Sequence, residues 1–399
     1  MPRDPETPRA ERSGANVLQR FLTSSAASSY VLVVAVGIAL VWANSPLADA
    51  YDRLWTTPLA LRVGETSVGT DLRFWVSDGL MTIFFLLVGI EIDREIRTGD
   101  LGRPRVVALP AIAAVGGMVV PALIYLAVAR GGAAPRGWGV PMATDIALAL
   151  GVLGIAARHA APDVRPLLLT LAIVDDVGAI IVVTLFYATG GEPLALVAAA
   201  VIVTAIVITE RIGIGVSIVP IVLGAALWYA FLRAGIEPAI AGVVVGLLTP
   251  ASAIGRFERV LLLWSGFLIV PLFALANAGV RLDPATLFVG AGGLVALGIV
   301  VARLVGKPLG VVAAARLGVT TRISALPPGT GWGSMFALGV TAGIGFTVSL
   351  FIADLAFADD RALLDAAKVG IMVSAVLAGA GSYLTFRLES AASGRRSRA

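Results

Sequence analysis

The stretch L171-A-I-V-D-D-V-G-A-I-I-V-V183 sets two adjacent carboxylates, Asp175 and Asp176, in the middle of an apolar run long enough to cross a bilayer. A charge at the bilayer centre costs roughly 2.5–3.5 kcal/mol on insertion scales, so residues placed there usually line an ion or proton pathway. Three further ionisable residues, Asp78, Asp145 and Lys307, stand in otherwise uncharged apolar stretches. Adjacent helical residues point about 100° apart, so Asp175 and Asp176 are expected to face different partners.

The surrounding composition agrees with a membrane-embedded chain. Of 399 residues, 58% are hydrophobic and only 14% charged, and the mean hydropathy is +0.92. Soluble domains run near 25% charged. Uncharged stretches recur at 21–48, 106–129, 193–209, 212–232, 238–255, 260–280, 323–353 and 369–386. A span needs about 20 apolar residues, and the pattern reads as an all-α polytopic protein with twelve transmembrane helices. The expected organisation is a disordered cytoplasmic tail over 1–27, a transmembrane domain over 28–388 and a basic cytoplasmic tail over 389–399. Arg20, the run Val31–Trp42 and A48-D-A50 imitate a cleaved leader. The uncharged stretch 21–48 is long enough to span, and the expectation is an uncleaved first helix.

Zero cysteines exclude disulfides, thiolate metal sites and a cysteine nucleophile. The 30 basic residues outnumber 26 acidic ones, yet the excess is topological and no nucleic-acid partner is expected. With both termini cytoplasmic, Arg3, Arg9, Arg12, Arg20, Arg94, Arg97, Arg103, Arg105, Arg158, Arg165, Arg256, Arg259 and the tail Arg387 to Arg398 fall inside. Arg303 lies within a span. That bias fixes orientation in a bacterial inner membrane. The single histidine, His159, lies in a short basic loop and is read as exposed.

Two spans carry their own interruptions. G137-W-G-V-P-M-A-T-D-I-A-L-A-L-G-V-L-G154 has Pro141 and several glycines around Thr144-Asp145. L338-G-V-T-A-G-I-G-F-T-V-S-L350 has Gly339, Gly343 and Gly345 in its middle. Paired broken segments in corresponding halves point to a secondary-transporter site built from inverted repeats. Between the first two spans, L59-A-L-R-V-G-E-T-S-V-G-T-D-L-R-F74 alternates around Gly64-Glu65 and reads either as a two-residue hairpin or as an irregular loop.

A carboxylate taken out of water is either protonated or neutralised by a bound cation. Competition between H⁺ and a metal cation for one such group is the physical core of antiport. The available ligands are carboxylates, the Thr144 hydroxyl and carbonyls freed by unwinding, all hard oxygens that suit Na⁺ or Li⁺. Lys307, in V300-V-A-R-L-V-G-K-P-L-G310, is the natural counter-charge for one aspartate. Asp145 can also neutralise the N-terminal ends of two half-helices meeting in mid-membrane, with Lys307 serving the negative ends. Asp78, in W75-V-S-D-G-L80, is nearer the end of its span, with a structural role as the other reading. E91-I-D-R-E-I-R97 forms a dense charged cluster of the kind usually found at solvated helix ends.

At these residues the chain resembles the NhaA family of sodium/proton antiporters. The likeness rests on F84-F-L-L-V-G-I-E-I-D-R-E, P141-M-A-T-D-I-A-L-A-L-G, L171-A-I-V-D-D-V-G-A-I-I, L272-F-A-L-A-N-A-G-V, G306-K-P-L-G and G343-I-G-F-T-V-S-L-F-I-A. It implies two inverted repeats with crossed, discontinuous fourth and eleventh helices, and a homodimer joined partly through the hairpin. It implies a cation/proton site at Asp175 and Asp176, with Thr144 and Asp145 nearby and Lys307 paired to Asp175. It implies Na⁺, Li⁺ and H⁺ as substrates, no cofactor, and electrogenic exchange rather than enzymatic chemistry. Glu91, Arg94, Glu95 and Glu258 match the family's pH-sensing cluster, and alkaline activation is expected. Two positions where relatives often carry histidine read G235-I-E237 and F257-E-R259 here, which is expected to shift the pH midpoint. Two rivals stand against exchange. A solute symporter on the same fold would show solute-dependent Na⁺ uptake, and an intramembrane aspartic protease commonly needs a G-x-G-D motif that this chain lacks.

Overall fold

The structure is a computed structural model that describes residues 25–63, 66–97, 104–132, 134–156, 164–188, 191–212, 219–249, 260–282, 290–327 and 330–396. Helix α1 (Ser25–Ala43) turns by 116° into the short α2 (Ala48–Trp55). Strands β1 (Leu61–Val63) and β2 (Thr66–Val68) follow. Then come α3 (Leu72–Arg97), α4 (Pro104–Val128), α5 (Ile146–Ala156), α6 (Val164–Phe186), α7 (Pro193–Arg211), α8 (Val219–Ala234) and α9 (Ile240–Leu247). The order closes with α10 (Val260–Asn277), α11 (Gly290–Thr320), α12 (Trp332–Ala342), α13 (Thr347–Ala356) and α14 (Arg361–Arg396).

Among the described residues, seven helices are long and apolar enough to cross a membrane, and nine spans result if each of two bent pairs counts as one. Their outer faces are apolar as well as their cores: Leu194 and Val41 are 77% and 72% exposed. Such surface is costly in water and ordinary against lipid. Within the described residues, α1 runs from Ser25 and α14 to Arg396.

The link between α1 and α3 is a folded hairpin. Val63 pairs with Thr66 and Leu61 with Val68 in antiparallel register, and Gly64-Glu65 between the strands lie outside the described residues. Asp71 then caps α3 by accepting from Phe74 N at 2.9 Å. In α2 the periodic A48-D-A-Y-D-R-L-W55 buries Tyr51 and Trp55. The Tyr51 hydroxyl lies 2.7 Å from the Leu275 carbonyl and accepts from Gly279 N at 3.2 Å, closing the end of α10.

Among the described residues, three helices contain a widened π-type turn: Trp75–Leu80, Ser265–Ile269 and Ala302–Gly306. Such turns are rare and frequently mark functional positions. The third runs straight into Lys307-Pro308, where proline removes a backbone donor. α11 packs along α4 more extensively than any other described pair of elements. Glycines make that approach possible, since a Cβ on Gly116 would strike the Gly310 carbonyl, and one on Gly310 the Gly116 carbonyl. A backbone atom cannot rotate away, so Gly116→Leu is expected to exceed the usual ~1–3 kcal/mol of overpacking. Size-exclusion of the solubilised variant should show little monodisperse protein; a wild-type profile would contradict this packing.

Candidate ion-binding site

Both sequence-encoded interruptions are real breaks. A 3₁₀ turn at Ala134–Gly139 gives way to non-helical chain that ends where α5 starts at Ile146. α12 and α13 meet at 52° across residues 343–346. The breaks touch: Asp145 N donates to the Ile344 carbonyl at 2.8 Å, and the Thr144 hydroxyl lies 2.8 Å from the Ala342 carbonyl.

Asp145 joins two helix beginnings. One oxygen accepts from Leu148 N of α5 at 3.0 Å. The other accepts from Thr347 N and the Thr347 hydroxyl of α13 at 3.2 and 2.9 Å. Helix N-termini expose unpaired N–H groups and a partial positive charge, so one buried carboxylate satisfies both ends. Asp145→Ala removes these three bonds and should cost about 3 kcal/mol or more, at roughly 1–3 kcal/mol per stranded buried donor. The check is the Tm in detergent; an unchanged value would sink this role.

α6 delivers the two adjacent aspartates to the same place, and they do diverge. The Asp175 carboxylate is fully enclosed, and its Oδ2 accepts from Lys307 Nζ and the Thr144 hydroxyl, both at 2.6 Å. Thr144 carries one hydroxyl proton between two acceptors, Asp175 and Ala342, and donates to one at a time. Lys307 also donates to the Met142 carbonyl on the first break. Asp176 is 4% exposed, makes no side-chain hydrogen bond among the described residues, and leaves its buried Oδ1 without a partner. Asp175 Oδ1 is likewise unpartnered. Buried polar atoms are normally satisfied, so two orphan carboxylate oxygens at one crossing mark a place that can receive a proton or a cation.

Among the described residues, no three Asp, Glu, His or Cys side chains converge as a metal cage. A cation here would draw its remaining ligands from hydroxyls, carbonyls or water, which suits a weakly held hard ion.

Asp78, Glu91, Arg94 and Glu95 all lie on α3. Asp78 sits on the first π-type turn, and its carbonyl accepts from Trp228 Nε1 at 3.1 Å. Among the described residues no hydrogen bond ties it to the crossing. Glu91, Arg94 and Glu95 occupy the last turns of α3, where Arg94 lies 3.9 Å from Glu91 and Arg97 donates to Asp93 at 2.7 Å. Glu258 and His159 fall outside the described residues.

Two buried cations were given no partner by sequence reasoning. Arg303, 0% exposed, donates to the Gly345 carbonyl at 2.6 Å, the Val140 carbonyl at 3.1 Å, Ser374 at 3.2 Å, and Ser349. Lys368 on α14 is 3.3 Å from Asp354 on α13. An arginine inside an apolar run was the available signal for the first.

A helical membrane bundle in which two interrupted helices cross at buried opposite charges has the architecture of an ion-coupled secondary transporter. The chain belongs to the family described as Na⁺/H⁺ antiporter 1, whose model matches residues 19–386. It is 44% identical to the Na(+)/H(+) antiporter NhaA of Acidovorax sp. (strain JS42), covering 94% of this chain and 93% of that protein. It is 41% identical to the NhaA of Janthinobacterium sp. (strain Marseille), with 92% of each covered. The NhaA 1 of Klebsiella pneumoniae is also 41% identical over 93% of this chain and 96% of the relative. Among solved structures, the fold is similar to that of the sodium proton antiporter MjNhaP1 from Methanocaldococcus jannaschii at pH 8. The TM-score is 0.50 at 16% identity, covering 96% of this chain and 98% of that one.

Proposed function

We propose that this chain is an electrogenic Na⁺(Li⁺)/H⁺ antiporter that exports the cation by alternating access. The observation that carries the reading is the crossing itself: two enclosed aspartates with orphan oxygens beside Lys307 and Thr144. Asp176 and Asp175 bind the cation or protons, Thr144 and freed carbonyls complete the ligand set, and Lys307 compensates charge when the cation leaves. Because a carboxylate holds either the cation or a proton, and the empty site would leave bare buried charge too costly to reorient, each half-cycle carries one occupant and the two fluxes stay coupled. With more protons than cations per cycle, each net charge moved inward contributes about 2.3 kcal/mol per 100 mV, so voltage as well as ΔpH drives export.

The proposal extends to topology: twelve spans in two inverted repeats, both termini cytoplasmic, in a bacterial inner membrane, and a homodimer joined partly through the β1–β2 hairpin. Regulation is placed at Glu91, Arg94, Glu95 and Glu258, with activation at alkaline pH; a flat profile across the neutral range would remove it.

The test is a Na⁺ pulse to energised everted vesicles, with lumenal acidity followed by a pH dye. Rapid alkalinisation of the lumen is expected. A silent response with the protein present in the membrane would overturn exchange and favour a solute symporter.

A further inference from the structure

We infer that Arg303 is a positioning residue for this exchange: its guanidinium clips the two breaks together and thereby sets how tightly the Asp175–Asp176 carboxylates take a monovalent cation. The inference rests on the antiporter reading and adds a residue to it. Arg303 lies one turn before Lys307 on α11, within the π-type turn Ala302–Gly306. Its planar fork reaches acceptors on four segments. Val140 lies on the first break, Gly345 on the second, Ser349 on α13 and Ser374 on α14. A lysine, with its donors on one nitrogen, cannot span that set.

Gly345 shows how closely the guanidinium is seated. A Cβ there would strike the Ala143 carbonyl of the first break and meet Arg303 Nη2 at 2.8 Å and Cζ at 3.1 Å, so the first break and the guanidinium together fill the space a side chain would need. The route to the cation site is short. Val140 precedes Thr144 by four residues, and Gly345 follows Ile344, whose carbonyl holds Asp145 N. Slippage at either anchor moves the Thr144 hydroxyl away from Asp175 Oδ2. The two buried cations of α11 divide the work. Arg303 holds break carbonyls and serines and makes no ion pair among the described residues, whereas Lys307 pairs with Asp175. A clip that does not depend on that pair lets it open and close while the crossing keeps its shape.

The experiment compares Arg303→Lys and Arg303→Gln with the unsubstituted chain in everted vesicles, reading half-maximal Na⁺ and maximal rate separately. Hydrogen exchange of peptides covering 140–147 and 343–349 is followed in parallel. Arg303→Lys is expected to raise half-maximal Na⁺ about tenfold or more, the scale of one lost hydrogen bond to a charged group. Its maximal rate should be largely kept, with faster exchange in both peptides and a larger shift in Arg303→Gln. Unchanged half-maximal Na⁺ in both variants, even with a lowered rate, would overturn the inference and leave Arg303 merely structural. Should the unsubstituted chain give no Na⁺ response, the antiporter reading falls by itself. Exchange then decides the clip: faster at both breaks upholds it, unchanged at either rejects it.

Discussion

Asp176→Asn abolishes Na⁺-driven proton movement while the protein remains folded in the membrane. Asparagine matches aspartate in size, so packing around this nearly enclosed side chain is kept. What disappears is the group that can trade a proton for a cation. Removing one partner of a buried charge pair costs about 3–5 kcal/mol, which for a bound cation is at least ~100-fold in affinity. Stability should move the other way. Asp176 makes no side-chain hydrogen bond among the described residues and its Oδ1 is orphaned, so the amide relieves an uncompensated buried group. The expected pair of results is no detectable exchange and a Tm at or above that of the unsubstituted chain. Exchange persisting within about tenfold, by the same conversion, would move the cation elsewhere.

The second large effect is at Lys307. Lys307→Ala strands the Asp175 carboxylate and the Met142 carbonyl inside the bundle. An unpaired buried charge costs about 3–5 kcal/mol, so a fall in both Tm and Na⁺ affinity is expected. Lys307→Arg retains charge and donors and should lose less of each. Combining Lys307→Gln with Asp175→Asn leaves neither member of this pair as a stranded charge; it should recover the Tm yet stay inactive. That split separates the pair's contribution to folding from its part in transport. Identical Na⁺ dependence in Lys307→Ala and Lys307→Arg would remove Lys307 from the mechanism.

Much of the crossing could be read in the chain because membrane chemistry penalises each of its parts. Pro141 and the glycines at 339, 343 and 345 announce breaks, and Asp145, Asp175, Asp176 and Lys307 stand out against apolar neighbours. Thr144 is legible only by lying beside Asp145. The alternation around Gly64-Glu65 left a hairpin and an irregular loop open, and the observed strand register decides for the hairpin.

What stayed hidden depends on distances between helices. Arg303 was visible as an arginine in a span, but its acceptors are two carbonyls and two serines far away in sequence. Backbone carbonyls carry no residue signature, so no pattern announces them. The Asp354–Lys368 pair depends on how the chain turns between α13 and α14. α2 was hidden inside a presumed loop because eight residues are too few for a period to stand out. The π-type turns leave no compositional mark, and α9, at eight residues, is shorter than any simple span. Asp78 shows the opposite limit, a charge in an apolar run with no hydrogen bond to the crossing among the described residues.

The most direct test of the central claim follows protons released when Na⁺ is added to purified protein in weakly buffered detergent solution, with Asp176→Asn and a choline salt as controls. If one carboxylate trades occupants, Na⁺ displaces protons from the unsubstituted chain, choline does not, and Asp176→Asn releases none. Saturable Na⁺ binding without proton release, or equal release from Asp176→Asn, would contradict exchange at this crossing.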